Sequence, residues 1–167
     1  MSEQPKHVLF LCTGNSARSI IAEVLLNAQT KQPGRFIAHS AGSHPTGRVN
    51  PMTIELLRRS GLPSDGLRSK SWDEFAQPNA PKLHYIFTVC DDAAGEMCPV
   101  WPGQPVTAHW GVEDPAAVEG DEETMRQAFM RAFTTLQRRL DLFVSLPLEK
   151  LDKIALKEQL DSIGKVG

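Results

Sequence analysis

The chain predicts an α/β fold: a compact, mostly parallel sheet of four strands flanked by helices. Three observations carry that prediction. A short apolar run, "HVLFLC", closes on a small polar loop and is followed by an amphipathic helical pattern. The same strand-then-helix order recurs in "RFIAHSAG" and "NPMTIELLRRSG". Two further β-prone runs, "LHYIFTVC" and "PVTAHW", precede a long helical stripe.

Taken in order, residues 7–12 are short, apolar and β-prone, as a buried strand requires. In "SIIAEVLLNAQ", 19–29, apolar residues at 20, 21, 24, 25 and 28 form one helical face. Residues 35–42 read as a second strand ending on a glycine. The segment 50–61 has Asn50 as N-cap, Pro51 at the first helical position and Gly61 just past the end. Residues 83–90 form a third strand and, like the first, end on a cysteine; 105–110 form the fourth. From Glu122 to Phe143, Met125, Phe129, Ala132, Phe133, Leu136, Leu140 and Phe143 make the apolar face of a long helix. After Pro147, "LEKLDKIALKEQLDSIG" predicts a further helix with Leu148, Leu151, Ala155, Leu160 and Ile163 on one side. The expected organisation is a domain over 1–146 and a helical extension over 147–167. That extension packs on its own subunit or pairs with another.

With 167 residues, 41% hydrophobic and 23% charged, the chain can bury a core without staples. A formal charge of −2 gives no reason to expect a nucleic-acid or membrane surface. Met1 to Lys6 is polar, and no apolar run approaches a spanning helix, so the cytoplasm is the expected compartment. Three cysteines, an odd number, suit free thiols, metal ligands or redox chemistry rather than a disulfide framework.

The first cysteine ends a strand whose carboxyl end borders the usual binding crevice of such sheets. A helix begins near Arg18, and its free N–H groups and positive dipole end favour a bound anion. The same field lowers a thiol pKa, so Cys12 is expected to be substantially thiolate near neutral pH. Gly14 and Asn15 suit the backbone angles that turn successive N–H groups inward. Arg18 can fork onto two oxygens of a phosphate-like group, and Ser16 and Ser19 offer hydroxyls. The C-x5-R spacing alone is weak; its place between strand and helix strengthens it.

"CTGNSARS" resembles the phosphate-binding loop of the low-molecular-weight protein tyrosine phosphatase family, and within it most closely the thiol-dependent arsenate reductases. "HSAG" at 39–42, "VNP" at 49–51, "TVCD" at 88–91, "CPVWPG" at 98–103 and "HWGVEDPA" at 109–116 extend the likeness from about His7 to Phe143. The resemblance implies a three-layer sandwich around a central four-stranded parallel sheet. It implies Cys12 as nucleophile, and an oxyanion cradle made of Thr13, Gly14, Asn15, Ser16, Ala17, Arg18 and Ser19. Asp114, followed by Pro115, matches the family's acid, which protonates the departing oxygen. Ala17 stands where a cysteine is often found.

A phosphatase hydrolyses its cysteinyl-phosphate with water, whereas a reductase needs further thiols to supply two electrons. Cys90 and Cys98 are candidates, and the resemblance implies a relay. Cys12 takes arsenate, Cys90 attacks Cys12 and releases arsenite, and Cys98 attacks Cys90. The seven-residue spacer between Cys90 and Cys98 is slightly longer than in the thioredoxin-linked members of the family. An external thiol reductant, thioredoxin or glutaredoxin, then completes the cycle, with no tightly bound cofactor. Phosphate or sulfate would mimic the substrate. Phosphatases of the family carry aromatic residues beside the acid; here Ala116, Ala117 and Val118 follow Pro115. The alternatives are a phosphatase in which Cys90 and Cys98 are bystanders, and a thiol-based oxyanion or redox sensor without turnover. Some members bind a potassium ion near the loop, and Asn15, Glu23, Ser40 and Asp73 match those positions approximately, against ordinary surface and capping roles for the same residues.

Overall fold

The structure, a computed structural model, describes residues 4–90 and 105–166. Four strands, β1 (Lys6–Cys12), β2 (Phe36–Gly42), β3 (Tyr85–Thr88) and β4 (Val106–His109), form one sheet in the order β2-β1-β3-β4. Every pair is parallel, as the sequence predicts. The chain leaves β1 toward β2 and later returns on the other side of β1 to form β3. The strand order therefore reverses beside the carboxyl end of β1, where open α/β sheets bind ligands.

The α-helices are α1 (Arg18–Ala28), α2 (Pro51–Arg59), α3 (Glu122–Val144) and α4 (Lys153–Ile163). All four contribute to the core on one face of the sheet, where Ile21, Leu56, Phe129 and Leu160 meet Val8, Phe10, Phe87 and Trp110. On the opposite face Leu9, Leu11, Ala41 and Ile86 pack on Trp72 and Phe75 of a 3-10 turn. Asn50 caps α2 by accepting from the Met52 N–H at 2.9 Å, and Gly61 takes φ 74° past its end.

Two expectations need correction. β3 stops at Thr88, two residues before Cys90. The pattern after Pro147 is not one helix: Leu148–Lys150 is a 3-10 turn, and Leu151 is extended at ψ 133°. Asp152 then starts α4 afresh by accepting from the Ala155 N–H at 2.8 Å, a local bond that competes with continuing the earlier turn. The restart puts Leu156, Leu160 and Ile163 inward in place of Ala155. These side chains and Leu148 join the main core of the same subunit. Among the described residues no helix is long and apolar enough to cross a membrane.

A histidine ladder crosses the sheet away from the site. His7 stacks on His39 at 5.2 Å between ring centroids, with its Nδ1 2.9 Å from His39 Nε2. Burial, then the neighbouring His7 and Lys70, push His39 down from 6.5 to about 4. The imidazole is therefore neutral in the fold at neutral pH. Between those two values the unfolded chain takes up the proton first, so the stabilisation is complete above pH 6.5 and drains as pH falls toward 4. The loss should be on the order of 1–2 kcal/mol, discounted because the ring is only partly buried. Urea unfolding at pH 7.5 and 5 should show this slope, and His39→Gln should flatten it; a parent equally stable at both pH values contradicts it.

Candidate active site

The carboxyl end of β1 delivers Cys12, and the loop 13–17 wraps from it into α1. Its shape follows from where its carbonyls go. Thr13 O accepts from His44 N at 2.9 Å, Gly14 O from Thr46 N at 3.0 Å, and Ser16 O from Asn50 N at 3.0 Å. Ser69 Oγ and Thr53 Oγ1 add second bonds to Gly14 O and Ser16 O at 3.1 and 3.0 Å. With its carbonyls tied outward, the loop leaves its N–H edge for the cradle, the arrangement of an anion-binding nest. Asn15 is the hinge. It is fully buried with φ 47°, its Nδ2 donates to Ser19 Oγ at 2.8 Å, and its Oδ1 accepts from Lys70 N at 2.8 Å.

Gly14, expected to share the left-handed backbone, does not; within the loop 13–17 Asn15 alone carries it. The glycine that the loop depends on is Gly42, at the end of β2. A Cβ there would lie 2.5 Å from Thr13 O and 3.0 Å from Cys12 O. The sequence showed it only as the end of a strand. Gly42→Ala should cost about 1–3 kcal/mol by overpacking against backbone that cannot yield. It should also displace the loop; an unchanged urea midpoint would contradict the close approach.

Ala17 is the cap residue of α1, and its side chain makes no capping hydrogen bond. The first-turn N–H groups are thus available to an anion's oxygens. Ser19 Oγ is bonded to Asn15 and serves the loop's shape rather than the cradle. The Thr13 N–H donates to Cys90 Sγ at 3.3 Å, so it too faces a thiol and not the cradle centre.

Cys90 reaches the loop because β1 and β3 are neighbours. Leu11 pairs with Thr88, and the Val89 N–H donates to Leu11 O at 2.9 Å, so the residues after each strand end side by side. Cys12 and Cys90 are both buried free thiols, hydrogen-bonded to each other. That contact corrects the expected thiolate. The Cys12 thiol is pushed up, first by its hydrogen bond with Cys90 and then by burial, while Arg18 pulls the other way.

Arg18, at the start of α1, joins the cradle to the acid. Its Nη1 donates to Val112 O at 2.8 Å and its Nη2 lies 3.6 Å from Asp114 Oδ2. Asp114 Oδ1 accepts from Ala116 N at 2.9 Å, capping the 3-10 turn Pro115–Ala117. Arg18, Cys90, Gly111, Val112, Asp114 and Ala117 help to line a cleft of about 580 Å³. Cys12, Arg18, Asp114 and Cys90, expected as nucleophile, clamp, acid and relay thiol, therefore lie at the same end of the sheet. Cys98 lies outside the described residues.

A nucleophile loop after β1, an arginine clamp and an Asp-Pro acid turn on this sheet order fit a known sequence family, and the family described as low molecular weight phosphotyrosine protein phosphatase matches residues 7–157. The chain belongs to that family. Among its relatives, an arsenate reductase of Bacillus licheniformis is 34% identical over 138 residues, covering 83% of this chain and 94% of the relative. An arsenate reductase structure from Archaeoglobus fulgidus superposes with TM-score 0.59 at 31% identity, over 80% of this chain and 98% of that one. A low molecular weight protein tyrosine phosphatase from T. tengcongensis shares the fold, with TM-score 0.62 at 22% identity over 87% of this chain and 99% of that one.

Of the four potassium ligands expected from the family resemblance, three are tied to protein partners and the fourth is exposed. Asn15 Oδ1 is taken by Lys70 N, and Ser40 donates its hydroxyl to Glu23. Burial raises Glu23, and the Ser40 bond and the charges of Lys70 and Arg68 oppose that rise. Asp73 sits exposed on the 3-10 turn. Among the described residues no group of three or more His, Cys, Asp or Glu side chains is arranged to hold a metal.

Proposed function

We propose that the chain reduces arsenate to arsenite. The observation that carries this reading is the buried Cys90 thiol set against the oxyanion loop, where its Sγ accepts from the Thr13 N–H, next to Cys12, at 3.3 Å. Hydrolysis of a cysteinyl ester calls for water at that spot, whereas reduction calls for a second sulfur. The relatives named arsenate reductase, at over 30% identity, support the same reading.

In the proposed sequence, the arsenate dianion takes the Cys12 proton, Cys12 Sγ as thiolate attacks arsenic, and an arsenate hydroxyl leaves as water after taking a further proton from Asp114. Arg18 and the N–H groups of the loop and of the start of α1 bind the remaining oxygens and the charge that develops on them. Cys90 Sγ then attacks Cys12 Sγ. The sulfur–arsenic electron pair stays on arsenic, which departs as arsenite, and a Cys12–Cys90 disulfide forms. Cys98 attacks Cys90 and frees Cys12, leaving a Cys90–Cys98 disulfide for an external dithiol of the thioredoxin or glutaredoxin class. Free thiols of this kind suit a reducing compartment such as the cytoplasm.

Phosphomonoester hydrolysis is a minor second activity. The cradle accepts phosphate as well as arsenate, but among the described residues the cleft has Ala117 near Asp114 and no aromatic side chain for an aryl ring to stack on.

The test supplies arsenate with thioredoxin or glutaredoxin and their NADPH-dependent reductases, and follows NADPH. Arsenate-dependent oxidation that disappears in Cys98→Ser and Cys90→Ser supports the relay. Variants as fast as the parent overturn it, and rapid aryl phosphate hydrolysis without arsenate-dependent oxidation favours the phosphatase.

A further inference from the structure

We infer that Arg139 and the end of α4 clasp the root of the acid loop and so hold Asp114 in its working place. The inference rests on the reading of Asp114 as general acid.

Arg139 lies in α3 and is only 5% exposed. Among the described residues it has no carboxylate partner. Its Nε donates to Val166 O at 2.9 Å, and its Nη1 donates to Trp110 O at 2.8 Å and Gly111 O at 3.1 Å. Burial is the one influence on its titration, and it acts downward, as for a cation held without an anion. A buried charge is costly, and an apolar side chain would fill such a place at least as stably. What a guanidinium adds is geometry: one planar group fixes the last residues of the chain to two successive carbonyls at the foot of the acid loop.

The end of α4 grips the same place twice more. Trp110 is fully buried, stacked on Phe87 at 3.9 Å, and its indole N–H donates to Leu160 O at 2.9 Å. Gly164 passes so close that a Cβ would meet His109 O at 2.4 Å and Trp110 Cδ1 at 2.9 Å. Its φ of −62° suits any residue, so glycine is needed for the approach and not for the backbone.

From there the acid is a short step away. Val112 N donates to Val89 O at 3.0 Å, Val112 O receives Arg18, and Asp114 follows after Glu113. Behind this loop lies a cavity of about 240 Å³ lined by Gly111, Val112, Pro115, Arg131 and Arg139. Close packing therefore does not hold the loop on that side, and releasing the clasp gives it room to retreat. Displacement of an acid by about 1 Å can cost up to a hundredfold in rate.

The experiment is a double-mutant cycle on arsenate reduction, with the chemical step read by single turnover. Gly164→Ala and Arg139→Met are each made alone and together with Asp114→Asn. Each alone should lower kcat about tenfold with KM changed by less than about twofold, because the acid and not the cradle is displaced. On the Asp114→Asn background each should lower it by less than about twofold, since the group they act through is gone. Losses that multiply fully on that background, or a Gly164→Ala enzyme as fast as the parent, overturn the clasp. An Asp114→Asn enzyme as fast as the parent overturns the acid assignment itself, and the clasp with it.

Discussion

Cys90→Ala should reduce arsenate turnover about a thousandfold or more, to the level of a site that binds and attacks but cannot finish. The same substitution should make Cys12 a better nucleophile. Two of the influences that raise the Cys12 thiol, the side-chain hydrogen bond and the charge of its neighbour, come from Cys90. Removing them leaves burial alone to raise the thiol against Arg18 and the Thr13 N–H, so the Cys12 pKa falls. At pH 7 a lower pKa means more thiolate, hence faster alkylation by iodoacetamide and a reactivity profile moved to lower pH. Lost turnover together with a faster thiol is a combination that general damage to the site does not produce. Alkylation that slows, or follows the parent's pH profile, would show that Cys90 does not control Cys12.

The pairing also gives the resting site a logic. A fully ionised, accessible Cys12 invites oxidation when no oxyanion is present. Beside Cys90 and only 5% exposed, the Cys12 thiol holds its proton more tightly than a free cysteine does.

Much of this site was legible because its parts are local. The strand that ends on Cys12, the left-handed Asn15 and Arg18 at a helix start all lie within a few residues, where spacing and backbone preference determine the geometry. Asn50 and Gly61 bracket α2 for the same reason. The meeting of Cys12 with Cys90 is less local, yet a cysteine at the end of β1 and another two residues past β3 foretold it once the strands' pairing was known. The features that escaped are tertiary. Nothing in "SAG" reveals that Gly42 lies against Thr13 O, because that approach depends on how β2 turns beneath the loop. The charge state of Cys12 was misread because helix dipole and arginine were counted without the thiol that arrives from β3. Nothing in the sequence singles out Arg139, because its partners, the carbonyls of Trp110, Gly111 and Val166, lie 27 to 29 residues away and meet it only in the fold.

Arg18→Lys should lower kcat/KM for arsenate by about a hundred- to a thousandfold, the loss typical of removing a donor aimed at a developing oxyanion. Lysine keeps the charge, so the size of this effect measures geometry. A guanidinium offers five N–H groups in one plane and can serve the oxyanion while keeping Val112 O at 2.8 Å and Asp114 Oδ2 at 3.6 Å. An ammonium on a flexible stem cannot reach all three at once. The acid loop should therefore loosen as well, with faster amide hydrogen exchange over residues 112–118 than in the parent. Global stability should fall by only about 1 kcal/mol, the worth of one hydrogen bond. Turnover within about tenfold of the parent would mean that charge alone suffices and the planar fork is dispensable. Slow turnover with unchanged exchange would confine Arg18 to the oxyanion and leave the acid loop to the clasp at Arg139.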